Sequence, residues 1–292
     1  MDQRAQDFLN YLEEQKEYSA NTVAAYRNDL TQFGSYLQAR QDIRTLKNAI
    51  YWPAIQADHN LDYLFYLRER AYNTSTVARK VAAVKSFFHY LVERRLIDND
   101  PTQSLVTPKV EKHRPSSISY EDIMRLLAAP AKQKTPQAQR DRALLEVLYA
   151  TGMRVSEVVA LNVNDVDLKP PASVHCRGRG GKVRTMPLGL RASEALKAYL
   201  HEVRHKFMPM DNERALFLNH RGQRLTRQGL WLIIKRYVET VGIEEEVTPY
   251  TLRHSFATHM LREGAGLQEV QRLLGHASMS TTQIYTELAG RD

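Results

Sequence analysis

The stretch Tyr250-Thr-Leu-Arg253-His254-Ser-Phe-Ala-Thr-His259, followed by Leu273-Leu-Gly275-His276 and Thr281-Thr-Gln-Ile-Tyr285, decides how this chain reads. Tyr285 stands nine positions beyond His276, and a second cationic site lies upstream in Ala150-Thr-Gly152-Met-Arg154-Val-Ser-Glu157. Guanidinium groups stay charged at any working pH, and their planar fork matches two phosphate oxygens. A tyrosine hydroxyl can attack phosphorus and form a covalent phosphoester that conserves bond energy. Two arginines, a histidine and a late tyrosine therefore suit metal-free phosphoryl transfer, with Arg154 and Arg253 clamping a phosphodiester. His276 carries an imidazole, whose ordinary pKa of about 6.5 fits phosphate contact or proton exchange.

The bulk properties agree. A chain of 292 residues is long enough for two domains, and its 43% hydrophobic and 25% charged content is that of a soluble globular protein. No apolar run reaches the ~18 residues of a membrane span. The start, Met1-Asp2-Gln3-Arg4, reads as neither signal nor transit peptide, so a cytoplasmic location without membrane association is expected. Cys176 is the single cysteine, which excludes an intrachain disulfide and a thiolate metal cluster. It reads as a buried small hydrophobe. The net charge of +8 and pI near 9.5 favour a polyanionic partner, because each neutralised phosphate releases counterions. With the arginine–tyrosine site, that partner is expected to be DNA.

Helices joined by short connectors are expected over the first hundred residues. Ser19 and the following Ala-Asn-Thr cap a helix carrying Val23, Tyr26, Leu30 and Phe33. Asn73-Thr-Ser-Thr76 caps another, with Val77, Val81, Val84, Phe88 and Leu91 on one face, ending near Ile97. Arg79, Lys80 and Lys85 are expected on its exposed face, as phosphate contacts or as a solvated surface. Thr107-Pro-Lys-Val-Glu-Lys-His-Arg-Pro115, basic and twice interrupted by proline, reads as a linker. Beyond it, Ser119 caps a helix over 120–127. A second runs over 139–150 to Gly152, and a third starts at Val155, leaving Arg154 at the corner. Residues 173–176 and 183–187 read as two strands joined by Gly178-Arg179-Gly180-Gly181. Helices then follow over 191–206, 227–241, 250–263, 266–274 and 281–288.

The order of these pieces resembles the tyrosine recombinase (phage integrase) family, and within it the Xer type, similar to XerC and XerD, that resolves chromosome dimers. The similarity spans nearly the whole chain. It is carried by Ser19-Ala-Asn-Thr-Val-Ala-Ala-Tyr26-Arg-Asn-Asp-Leu30, by Ala150–Glu157, and by Leu252–His259, Leu273–His276 and Thr281–Tyr285. Each motif alone is weakly specific; four in order, closing with His276 and Tyr285 at the family's spacing, are strongly specific. The resemblance implies a mainly α protein. A helical SAM-like core-binding domain would span 1–107 and a linker 108–115. An α+β catalytic domain with a small antiparallel sheet would span 116–292, the whole closing on duplex DNA as a C-shaped clamp. It assigns Arg154 and Arg253 to the scissile phosphate, His276 to phosphate contact or proton transfer, and Tyr285 to nucleophilic attack. No cofactor or metal is implied. The implied partners are a double-stranded DNA recombination site and further protomers, paired on DNA and tetrameric at synapsis. Those protomers are copies of this chain or a sister recombinase, with a septal DNA translocase as a candidate activator.

Three features depart from the family's pattern. Tyr250 stands where the family has histidine, and a phenol of ordinary pKa about 10 is a poor proton shuttle near neutrality. Arg179 occupies the place of the catalytic lysine, while Lys182 follows three positions on. Arginine rarely releases its proton, so either Lys182 serves as the acid for the departing 5′-oxygen with Arg179 on the phosphate, or Arg179 acts electrostatically with water or His276 as the acid. Seven residues follow Tyr285, fewer than the docking helix of relatives, so cyclic assembly through that helix is not expected.

Other readings of these residues are weaker. His254 and His259 lie five apart, about 140° apart around a helix, whereas metal-binding pairs prefer a spacing of four; packing or phosphate contact is expected for both. The Gly178–Lys182 turn lacks the first glycine and the closing hydroxyl of a nucleotide-binding loop. The functional expectation is a site-specific recombinase that leaves a 3′-phosphotyrosine and a free 5′-hydroxyl, then exchanges strands through a Holliday junction. The alternatives are an integrase of a mobile element, a nicking and resealing enzyme of topoisomerase type, and a DNA-binding relative whose catalysis has decayed.

Overall fold

Short polar side chains open the helices. Ser19, Asn73 and Ser119 each accept a hydrogen bond from the backbone N–H three residues on, and a helix follows at once. The computed structural model describes residues 2–40, 42–43, 45–46, 49–110, 117–178, 183–210, 212–276 and 278–289. The chain divides into two compact units, Met1–His113 and Arg114–Asp292. Of the segment expected as a linker, 108–110 has no regular secondary structure and 111–115 lies outside the described residues.

The first unit contains α1 (Gln3–Glu14), α2 (Ala20–Gln38), α3 (Ala57–Glu69) and α4 (Thr74–Glu93), with an antiparallel ribbon of β1 (Thr45–Leu46) and β2 (Ala49–Ile50). The apolar stripe read on α4 is buried throughout, packed with Phe8, Phe33, Trp52 and Tyr63. Two expectations need correction. First, α4 stops at Glu93 rather than near Ile97. Arg95 takes the left-handed conformation (φ 55°), the Leu96 N–H donates to the Leu91 carbonyl (2.8 Å), and the turn carries Ile97 into the core. Second, Lys80 is not exposed. It is buried, and its Nζ donates to Asp29 Oδ1 (3.0 Å), while Arg79 pairs with the other oxygen of the same carboxylate. Asp29 is 1% exposed, and a buried carboxylate needs neutralisation; that need draws the cations to it. Lys85 donates to the Leu105 carbonyl (2.9 Å).

The second unit contains α5 (Tyr120–Ala128), α6 (Pro136–Thr151), α7 (Val155–Ala160), β3 (Val166–Asp167), β4 (Ser173–Arg177), β5 (Val183–Pro187), α8 (Leu190–Ala198), α9 (Arg227–Val241), α10 (Pro249–Arg262), α11 (Leu267–Leu274) and α12 (Ser280–Ala289). The strands form an antiparallel sheet in the order β3-β4-β5, with Val174 opposite Met186 and Cys176 opposite Arg184. Strand alternation buries Val174, Cys176 and Met186 on one face. Burial pushes the Cys176 thiol up to about 11, as suits a small core hydrophobe. The helix expected over 191–206 changes its winding after Ala198, through a π turn at Tyr199–Val203 and a 3-10 turn at Arg204–Phe207. There the buried Tyr199 hydroxyl accepts from the Leu218 N–H (3.3 Å). α6 lies at the centre of the main core, and a smaller cluster unites Phe256, Ala257, Val270, Leu274 and Tyr285. Among the described residues, no helix is long and apolar enough to cross a membrane.

Candidate active site

α6 ends where Gly152 turns left-handed (φ 56°), and the chain re-enters a helix at Val155, so Arg154 becomes the N-cap of α7. The Arg154 backbone N–H donates to Glu157 Oε2 (2.8 Å) and its Nη1 to Glu157 Oε1 (3.1 Å). Arg184 grips the same carboxylate with both ends of its fork, Nη1 to Oε1 at 3.1 Å and Nη2 to Oε2 at 2.8 Å. Burial pushes the Glu157 carboxyl up, but the hydrogen bonds from Arg184 and the Arg154 backbone, with both positive charges, hold it below its ordinary value.

Arg253 comes from α10 and is buried. Its Nη1 donates to the Gly152 carbonyl (2.5 Å) and its Nη2 to the Leu274 carbonyl (2.6 Å), with His276 Nε2 at 3.1 Å. Burial and the neighbouring Arg154 charge bring it down to about 10, which leaves it cationic at neutral pH. His276 follows the left-handed Gly275 that ends α11. Because a guanidinium only donates, His276 Nε2 is the acceptor from Arg253. The ring proton then sits on Nδ1 and donates to Thr282 Oγ1 (2.9 Å). Burial, then the charges of Arg253, Arg154 and Arg184, pull His276 down to about 4, so it is neutral at physiological pH.

Tyr285 lies on α12, 1% exposed, with its ring 4.9 Å from that of His254 and 6.1 Å from that of His276. Burial pushes its phenol up to about 12, against the pull of Arg253; the hydroxyl is protonated at neutral pH. Tyr250, in the first turn of α10, is 62% exposed and sets its ring edge-on to His254 at 3.9 Å. An open cleft of about 420 Å³ is lined by Arg154, Tyr250, Arg253, His276 and Tyr285, joined by Arg227.

Five of the seven residues singled out in the sequence thus line one cleft. The other two, Arg179 and Lys182, lie outside the described residues. His254 and His259 are both buried. His259 Nδ1 meets the Tyr149 hydroxyl at 2.9 Å, and His254 packs between Tyr250 and Tyr285. Sequence reasoning missed Arg184, Thr282 and Arg227. A signal for Arg184 was present: in Val183-Arg184-Thr185-Met186 the arginine shares the parity of the buried Met186, while Val183 is 59% exposed. A cation on the inward face of a strand needs a partner.

The phage integrase family matches residues 116–291, and the N-terminal SAM-like domain of phage integrases matches residues 5–95. A protein of Roseiflexus sp. (strain RS-1) named tyrosine recombinase XerC is 47% identical over 293 residues, covering 99% of this chain and 90% of the relative. A tyrosine recombinase XerD from Halalkalibacterium halodurans is 41% identical, with coverage of 97% and 92%. Among solved structures, XerA recombinase aligns at a TM-score of 0.53 and 30% identity over 97% of this chain and 92% of its own. The fold of XerH recombinase, solved on its palindromic difH substrate after cleavage, aligns at 0.72 and 23% identity over 98% and 82%. Matched by the family in both units and by relatives along nearly its full length, this chain belongs to the phage integrase family as a tyrosine recombinase of the Xer type.

Proposed function

We propose that the chain cuts and rejoins duplex DNA at a specific site with Tyr285 as nucleophile. The observation that carries this reading is the convergence of Arg154, Arg253, His276 and Tyr285 on one cleft. The Tyr285 oxygen attacks phosphorus, the bond to the 5′-oxygen breaks, and a 3′-phosphotyrosine and a 5′-hydroxyl result. Arg154 and Arg253 meet the non-bridging oxygens, where they stabilise charge that grows in the transition state. A phenol pushed up to about 12 needs a proton acceptor at the moment of attack, and His276 Nε2 serves once the Arg253 fork, from which it accepts (3.1 Å), turns to the phosphate. The 5′-oxygen takes its proton from Lys182, with Arg179 on the phosphate. Religation reverses these steps with the partner strand, through a Holliday junction.

The first unit contributes to DNA binding, and protomers pair on the site and synapse as tetramers. Kinship to both XerC and XerD supports a role in resolving chromosome or plasmid dimers, with copies of this chain or a sister recombinase completing the tetramer. Such a role lies in the cytoplasm, and a septal DNA translocase is the candidate activator.

The test begins by sequencing DNA bound to the protein to find the site. A nicked suicide substrate carrying it is then incubated with wild type, Tyr285→Phe and Tyr250→Phe. Covalent adduct in wild type and Tyr250→Phe, and none in Tyr285→Phe, is expected on a denaturing gel. Adduct in Tyr285→Phe at the wild-type level sinks the assignment.

A further inference from the structure

We infer that Arg184 is a positioning residue of this site, which neutralises Glu157 and thereby leaves the Arg154 guanidinium available to the scissile phosphate. The inference rests on the cleavage chemistry proposed above.

Glu157 serves two arginines unequally. Arg184, with its side chain 15% exposed, spans both carboxylate oxygens, whereas the Arg154 side chain, 45% exposed and lining the cleft, reaches one of them with a single nitrogen. Bidentate guanidinium–carboxylate pairing is the stronger geometry, so Arg184 is the standing partner and Arg154 the exchangeable one. The Glu157 side chain is only 8% exposed. Without Arg184 its charge would have Arg154 alone to meet it, and a buried carboxylate stripped of its partner is strongly unfavourable. Arg154 would then be drawn out of the cleft and onto Glu157.

The surrounding chain is shaped to admit this side chain. The pleat of β5 aims Arg184 to the same face as buried Met186, and Arg184 stands opposite Cys176 on β4. At Gly275 (φ 63°) an added Cβ would stand 2.3 Å from Arg184 Nη1 and 3.0 Å from its Cζ; glycine leaves the lane open. Among the described residues the only hydrogen-bond partner of the fork is Glu157, and the buried Nε has none. Arg184 therefore links the sheet, the α7 corner that carries Arg154, and the turn that precedes His276.

The test measures single-turnover cleavage of the suicide substrate by wild type, Glu157→Gln, Arg184→Met and the double variant, with DNA affinity measured on the same preparations. Arg184→Met is expected to cleave on the order of 10–100-fold more slowly, below the roughly 100–1,000-fold cost of losing a donor that touches the reacting oxygen itself, with DNA affinity nearly unchanged. Adding Glu157→Gln to Arg184→Met should recover at least about tenfold, roughly 1.4 kcal/mol, because the stranded charge is gone; a merely structural arginine would give a further loss instead. Wild-type cleavage by Arg184→Met, or a double variant slower than Arg184→Met, overturns the inference. Should Arg184→Met fail to fold, the double variant is compared with Glu157→Gln: equal rates support action through Glu157, and a slower double variant refutes it. If wild type itself forms no adduct, the cleavage reading falls and takes the inference with it. Adduct in wild type, with Arg184→Met unimpaired, overturns the inference alone.

Discussion

Gly152 and Gly242 both close helices in the left-handed conformation, at φ 56° and 67°, but their surroundings differ. A Cβ at Gly152 would lie 2.3 Å and 2.7 Å from two ring carbons of Phe256 and 3.0 Å from Leu274 Cδ2, whereas nothing comes within 4 Å at Gly242. Gly242→Ala therefore meets backbone strain alone, about 1 kcal/mol. Gly152→Ala meets the same strain plus overpacking of about 1–3 kcal/mol, because its neighbour is a ring in a packed cluster and not the tip of a flexible chain. The change in unfolded-chain entropy is common to both and cancels. Gly152→Ala should thus be the less stable of the two by about 2 kcal/mol, which at a urea m-value of about 2–3 kcal/mol/M lowers its midpoint by a further ~0.7–1 M. Urea unfolding of the full chain, followed by circular dichroism, reads this difference directly. The suicide-substrate assay adds a second readout. The Gly152 carbonyl accepts from Arg253, and Phe256 packs in the Tyr285 cluster, so Gly152→Ala should also slow cleavage while Gly242→Ala does not. Equal midpoints for the two variants refute the steric reasoning.

Asp29→Asn leaves Lys80 buried without a counter-charge and should destabilise the first unit by about 3 kcal/mol; an unchanged urea midpoint contradicts this. Burial, then the charges of Arg253 and His276, hold His254 down to about 4, below its ordinary 6.5, so it folds neutral. Its contribution is complete above pH 6.5 and is lost as pH falls toward 4, by on the order of 3 kcal/mol. His254→Gln should flatten the stability–pH slope between those limits by about one proton, and an unaltered slope argues against it. DNA binding should weaken steeply from low to moderate salt, since phosphate contacts dominate affinity; an affinity indifferent to salt excludes that picture.

Local chemistry was legible in the sequence wherever the deciding groups were close along the chain. Ser19, Asn73 and Ser119 bond backbone only three residues away, and Gly152 ends α6 by its own conformational freedom. Arg253, His276 and Tyr285 could be read as a set because α10, α11 and α12 follow one another closely. What failed depended on distant partners. Lys80 looked like part of a solvated face until Asp29, 51 positions away, supplied a charge to bury it against. Arg184 escapes a local reading because Glu157 is 27 positions upstream, although the parity of its strand points to an inward side chain. The winding change at Tyr199 comes where its buried hydroxyl meets the Leu218 N–H, 19 positions on, and no local pattern announces it. Tyr285 reads as a core residue and as a nucleophile alike, and in the fold it packs in a core cluster and lines the cleft.

Arg253 occupies an unusual place in the architecture. Its fork reaches the carbonyl of Gly152, which closes α6, and that of Leu274, the last residue of α11, two helix ends whose oxygens carry partial negative charge and lack partners within their own helices. The side chain is thus a rivet as well as a tool, and experiments on it will report both. A lysine keeps the charge but offers a single point where the fork spans two carbonyls and an imidazole, so it would slacken the joint that seats His276. Loss of cleavage in an Arg253 variant is consequently a poor gauge of how strongly that side chain grips phosphate. Arg154, anchored through its backbone and reaching Glu157 from the rim, is the cleaner place to measure what one guanidinium contributes.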